Sequence, residues 1–178
     1  MTISDDIFVN LWVKADITQK YTREDLYMAN KTIRVFEGFA GYGGASFGLK
    51  RSGLKYKVVG MSEFDKFASE LLAKNFPGIK NWGDITIIEP DDLPDFDLFT
   101  GGFPCQPFSS AGLQLGEKDK YGRGTLLHHI LRIVEAKRPE YILLENVKGL
   151  TAKKFEGTLI SLKKNSRKSV MVIWHMLS

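Results

Sequence analysis

Apolar residues along this chain fall into short blocks separated by polar, glycine-bearing turns, and the blocks alternate between a strand-like and a helical rhythm. Ile33-Arg34-Val35-Phe36 has the β-branched and aromatic content of a strand, and glycines follow at Gly38, Gly41, Gly43 and Gly44. A helix is predicted from about Ala45 to Lys50, and a second strand from Tyr56 to Met61. Between Asp65 and Phe76, apolar residues recur at helical spacing (Phe67, Leu71, Leu72, Phe76), and Pro77-Gly78 closes the segment. Asp95 to Thr100 reads as a strand built on the run Phe96 to Phe99. Gly122 to Ala136 reads as a helix with a stripe of Leu126, Leu127, Ile130, Leu131 and Val134. Tyr141 to Leu144 is a further buried strand, stopped by Glu145-Asn146, and Ser169 to Trp174 has the content of one more.

Strands alternating with helices of this length predict βαβ units, hence an α/β fold with a mostly parallel sheet and helices on both faces. The pattern begins at Thr32. Residues 1–31 are mixed and polar and are expected to be an N-terminal extension, with one domain over 32–178. No internal repeat or low-complexity linker divides that domain.

Composition is that of a soluble globular chain: 178 residues, 43% hydrophobic and 26% charged. No apolar run approaches the ~20 residues of a membrane helix. The single cysteine excludes an internal disulfide and fits a reducing compartment, so a cytoplasmic location is expected. The net charge of +4 is uneven, because residues 151–178 carry six Lys/Arg and a single acid, Glu156. Such a basic segment suits phosphate backbones, and equally a solvated helix face.

The lone cysteine, Cys105, lies in Gly101-Gly102-Phe103-Pro104-Cys105-Gln106-Pro107-Phe108-Ser109-Ser110, just past a buried strand. A lone cysteine is commonly a small core residue. Here Gly, Pro and Ser surround it, and it is presented beyond a strand end, where open α/β sheets place their chemistry, so a nucleophilic thiol is the second reading. The glycine turn after the first strand suits close approach of a ligand to backbone, or simply a tight turn. Its spacing departs from the dinucleotide fingerprint, with Ser46 where a glycine belongs. Glu63, about twenty residues on, is placed where an acid takes ribose hydroxyls. Phe64 has the ring to stack on a purine, whereas Ser62 and Asp65 also suit helix capping. Asp84, in Gly83-Asp84-Ile85, is a candidate acceptor for an adenine amino group. Glu145 ends a strand and faces the crevice at the strand ends, and Asn146 beside it also suits a helix cap. His128 and His129 are neighbours on a helix and diverge by about 100°, so no metal site is expected.

Taken in order, these segments resemble the DNA (cytosine-5)-methyltransferase family from about Ile33 to Leu150. Phe39-Ala40-Gly41-Tyr42-Gly43-Gly44 resembles the family's Phe-x-Gly-x-Gly-Gly cofactor motif, and Glu63-Phe64-Asp65 its acid-plus-aromatic motif. Gly102 to Ser109 matches the Pro-Cys loop, Arg123-Gly124-Thr125-Leu126 resembles the segment opening the next helix, and Glu145-Asn146-Val147 matches the Glu-Asn-Val motif. The resemblance implies a Rossmann-like S-adenosylmethionine-dependent fold, S-adenosylmethionine as methyl donor and DNA cytosine as acceptor. It implies Cys105, Glu145 and Arg123 as catalytic residues. It implies Phe39, Ala40, Gly41, Gly43, Gly44, Glu63, Phe64, Asp84, Ile85, Pro104 and Leu126 around the cofactor, with Gln106 and Ser109 on DNA.

Members of the family continue past the Glu-Asn-Val strand with a Gln-x-Arg-x-Arg motif, a target-recognition region and a returning helix, which have no counterpart here. The resemblance therefore implies a fold incomplete at its C-terminus, an open sheet edge and uncovered Val170, Val172, Ile173 and Trp174. It further implies little sequence-specific methylation by this chain alone, with a second chain or reading frame as a possible source of the missing region. Two other readings stay open: an inactive S-adenosylmethionine-binding remnant or regulatory module, and another Rossmann-like enzyme with a structural Cys105.

Overall fold

Five strands, β1 (Ile33–Gly38), β2 (Tyr56–Ser62), β3 (Leu98–Gly102), β4 (Tyr141–Val147) and β5 (Ser169–His175), pair throughout in parallel in the order β2-β1-β3-β4-β5. This is the sheet of the computed structural model, which describes residues 31–103, 126–147, 156–167 and 169–175. The helices are α1 (Gly44–Ser52), α2 (Lys66–Asn75), α3 (Leu126–Lys137) and α4 (Glu156–Asn165), with a 3-10 turn at Pro90–Asp92.

The strands are apolar on both faces because both faces are covered. Phe36, Phe99, Ile142 and Leu144 point to one face, where the α3 stripe of Leu127, Ile130, Ile133 and Val134 meets them together with Leu162 of α4. Phe36 stacks against Phe96 and Phe99 at ring-centroid distances of 5.4 and 6.1 Å. Ile33, Val35 and Leu98 point to the other face, against Leu49 of α1. Val58 and Met61 pack there against Leu72 of α2. The expected fold class is therefore present, with helices on both faces.

Three details differ from the sequence pattern. In α2 only Leu72 is fully buried, while Phe67 and Leu71 stand 78% and 48% exposed. The helical spacing was a true sign of a helix, but its apolar stripe is wider than the face the sheet covers. In α3 the buried stripe includes Ile133, and Leu126 and Leu131 pack at its margin. Helix α4 is only weakly amphipathic; its Lys163 and Lys164 are solvated, as is Arg167 just beyond. The strand expected at Ser169 to Trp174 is present as β5, with no described strand on its outer side. The side chains of Val170, Val172, Ile173 and Trp174 lie outside the described residues, so their expected exposure does too.

From β1 the chain crosses to β2 on one side and later to β3 on the other. The order reverses at β1/β3, the switch point beyond whose strand carboxyl ends open α/β sheets bind their ligands.

Candidate cofactor and catalytic site

All strands run in parallel, so the carboxyl ends of β1, β2, β3 and β4 share one edge. Gly38 pairs with Ser62 on one side and Gly101 on the other, and Gly102 pairs with Glu145. The candidate residues at those ends are thereby gathered in one place.

The turn after β1 is held in left-handed backbone: Phe39 at φ 53°, Gly41 at 56° and Gly43 at 95°. Glycine adopts such angles freely, but a bulky aromatic does not, and strain of this kind collects at functional sites. Phe39 lies against Phe103, with ring centroids 6.2 Å apart, directly over the switch point. The turn is tied to β2 by the Ala40 N–H donating to the Ser62 carbonyl at 3.0 Å. Ala40 itself is buried, and Gly44 begins α1.

Glu63 Oε2 accepts from the Gly41 N–H at 2.8 Å, and its Oε1 accepts from the Asp65 N–H at 2.8 Å. The acid is thus braced across the mouth of the glycine turn. Phe64 beside it is 76% exposed, an uncovered aromatic ring at the strand end. Asp65 caps α2, accepting from the Ala68 N–H at 2.8 Å. The capping once open to Ser62 does not occur: its hydroxyl donates to the Gly83 carbonyl at 2.7 Å. That bond brings the Gly83–Asp84 loop alongside Glu63. Asp84 Oδ1 accepts from the Thr86 N–H at 2.9 Å, and Asp84 stays partly exposed. The Ile85 side chain points into the core beside Gly38.

On the other side of the switch point, Glu145 stands against Gly102, and a Cβ on Gly102 would lie 3.0 Å from Glu145 Oε2. Leu126 starts α3 and packs at the edge of the core. Burial lowers the His129 pKa from the ordinary imidazole value and Arg132 adds to this, whereas Asp84 opposes it. Pro104, Cys105, Gln106, Ser109 and Arg123 lie outside the described residues. Among the described residues no group of three or more His, Cys, Asp or Glu is placed to hold a metal ion. No described helix is long and apolar enough to cross a membrane.

Sequence reasoning passed over two residues. Glu37, the penultimate residue of β1, is buried, and its carboxylate accepts from the Ala45 N–H and the Ser46 N–H, both at 3.0 Å, and from the Ser46 hydroxyl. Burial raises its pKa, and those hydrogen bonds partly restore the ionised form. Its place after Val35 and Phe36 marked an acid at the end of an apolar run, but not the role it takes there. Asn81, which hydrogen-bonds Glu63 and Gly83, had no such signal.

The chain is 42% identical over 145 residues to the type II methyltransferase M.HaeII of Haemophilus aegyptius, covering 82% of this chain and 44% of that protein. It is 49% identical over 117 residues to M1.ScrFI of Lactococcus lactis subsp. cremoris, covering 66% and 29% respectively. The S. pombe Dnmt2 methyltransferase structure aligns with a TM-score of 0.61 at 26% identity, covering 76% of this chain and 41% of that one. The chain thus spans less than half the length of these relatives. The description C-5 cytosine-specific DNA methylase matches residues 33–168, and the chain belongs to that family.

Proposed function

We propose that this chain is the cofactor-binding and catalytic part of a DNA (cytosine-5)-methyltransferase that uses S-adenosylmethionine. The observation that carries the cofactor reading is Glu37. In dinucleotide-binding α/β folds the helix after the glycine turn offers free N–H groups to a pyrophosphate. Here the Glu37 carboxylate already occupies the Ala45 and Ser46 N–H groups and brings negative charge to that helix end. A phosphate-bearing ligand meets repulsion there. S-adenosylmethionine has no phosphate, carries a sulfonium cation and presents ribose hydroxyls and an adenine ring. Glu63 suits the hydroxyls, the exposed Phe64 ring suits the purine face, and Asp84 suits the adenine amino group.

When bound, the cofactor supplies an electrophilic methyl group. The chain's own residues prepare the acceptor. Carbon 5 of cytosine is a weak nucleophile, and addition of the Cys105 thiolate at carbon 6 turns the ring into an enamine. Glu145 hydrogen-bonds the ring nitrogen and supports the charge that develops. After carbon 5 has taken the methyl group, a base removes its proton, the double bond re-forms and the thiolate leaves. The target base must be flipped from the duplex to reach Cys105. Gln106 and Ser109 are assigned to the strand around it, and Arg123 to Glu145 or a phosphate.

Base-edge readout needs residues from the part of the relatives' length that this chain does not span, in continuation or on a second chain. The type II methyltransferase relatives favour a restriction-modification setting in the cytoplasm. A module that binds the cofactor without turnover is the second reading. Calorimetric titration of S-adenosylmethionine into the purified chain, with Glu63→Ala as control, tests the cofactor assignment. Binding that weakens at least ~10-fold in the variant is expected, the loss of one charge-assisted contact. Binding of NAD without S-adenosylmethionine would overturn it. Labelled methyl transfer with the recognition part supplied separates the enzyme from the non-catalytic module.

A further inference from the structure

Asn81 lies on the surface, yet its side chain is saturated with hydrogen bonds to the protein. Oδ1 accepts from the Glu63 N–H at 2.9 Å and from the Gly83 N–H at 3.0 Å. Nδ2 donates to the Glu63 carbonyl at 2.9 Å and to Ser69 Oγ at 3.1 Å. A primary amide has two donors and two acceptor lone pairs, and all are used. Surface amides ordinarily spend these groups on water.

The consequence is geometric. The backbone link between the β2 end and this segment is a single parallel bridge, with the Met61 N–H on the Lys80 carbonyl and the Trp82 N–H on the Met61 carbonyl. Beyond Met61 the two segments are joined by side chains: Asn81 holds the Glu63 backbone at both its N–H and its carbonyl and holds the Gly83 N–H, while Ser62 holds the Gly83 carbonyl. Glu63 in turn grips the Gly41 N–H. Gly83, at φ 72°, fixes the direction in which Asp84 leaves.

We propose that Asn81 is a positioning residue of the cofactor site. It sets the spacing between Glu63 at the ribose end and Asp84 at the adenine end, and acts through Glu63 on the glycine turn. The proposal rests on the S-adenosylmethionine reading above, and its test keeps the two apart.

The full 178-residue chain is compared with Asn81→Ala, Glu63→Ala and the double variant. In calorimetry Asn81→Ala weakens S-adenosylmethionine binding ~10–30-fold, the scale of one to two lost hydrogen bonds. In the Glu63→Ala background the same change costs only ~2–3-fold, because residues acting through one another are not additive. A merely structural role gives equal losses in both backgrounds and overturns the proposal. Amide exchange at Gly41, followed by NMR, is the readout that needs no ligand. It quickens ~10-fold in Asn81→Ala as the Glu63 carboxylate loosens. Asn81→Asp retains both Oδ1 contacts and loses both donors, and falls between wild type and Asn81→Ala. Unchanged protection at Gly41 overturns the clamp whatever the binding result. Lost protection in a chain that does not bind S-adenosylmethionine supports the clamp and sinks the cofactor reading instead.

Discussion

Gly43 and Gly41 occupy the same turn in left-handed backbone, but only one of them is hemmed in. A Cβ on Gly43 would lie 2.1 Å from Phe76 Cε2, and the Phe76 ring is itself packed against Phe47 at 5.2 Å. A Cβ on Gly41 would meet nothing within 4 Å. Gly41→Ala therefore carries only the backbone penalty, about 1 kcal/mol, whereas Gly43→Ala adds overpacking and costs about 2–4 kcal/mol. Urea unfolding of the two variants measures the difference, and equal losses would mean that Phe76 does not close over the turn. The sequence shows both glycines and cannot tell them apart, because the distinction depends on a ring more than thirty residues away. Glu63 was legible from its spacing after the glycines. Glu37 was not, since its role appears only when α1 folds back over the end of β1. Asp84 and Ile85 were read as a pair, but their side chains part: Asp84 stays partly exposed on its own turn, and Ile85 enters the core.

At the scale of elements, α3 ends in an unusual way. Arg138 adopts φ 47°, a left-handed cap, and its N–H donates to the Val134 carbonyl at 2.8 Å. Helices commonly end in this conformation, but with glycine, because any Cβ crowds the carbonyl there. The contacts made at this corner use the backbone: Arg167 donates through Nε to the Arg138 carbonyl at 2.7 Å and through its N–H to the Pro139 carbonyl at 2.9 Å. Arg138→Gly keeps both and removes the crowding. It is expected to stabilise the chain by about 0.5–1 kcal/mol, roughly 1–4 °C in melting temperature. A melting temperature unchanged or lowered would show that the arginine side chain contributes more than its backbone costs. Periodicity found α3 because its inner face meets a broad core, and it found the strands because both of their faces are buried. It passed over α4, whose Leu162 joins that core and whose Lys163 and Lys164 face water. Local pattern reports an element only as strongly as the core claims it.

The molecule as a whole has two differently built edges. The carboxylates proposed to face the ligand, Glu63, Asp84 and Glu145, lie at or just beyond the carboxyl ends of the strands, while the opposite edge is closed by an ion network. Asp97, its side chain 5% exposed, accepts from Arg34 Nε at 3.1 Å, Arg34 Nη2 at 3.0 Å and the Arg34 N–H at 3.0 Å. Lys31 reaches both Asp97 and Glu140, at 3.3 and 2.6 Å. Alternating strands and helices made a parallel sheet legible, but neither the strand order nor this network was, because each joins residues far apart in sequence. Burial alone would raise the Asp97 pKa, but the bonds from Arg34 and Lys31 outweigh it and hold the carboxyl down at about 2. An acid whose pKa falls on folding stabilises the folded chain above its unfolded value near 3.8 and loses that contribution as pH drops toward 2. The contribution is about 1–2 kcal/mol, since Arg34 stands partly in water and screens the pair. Unfolding free energy measured from pH 2 to 5 should climb more steeply in wild type than in Asp97→Asn, with the gap opening through that window and constant above it. Parallel curves across the window would show that Asp97 does not link the ends of β1 and β3 in this way, and that the edge opposite the site is held by packing alone.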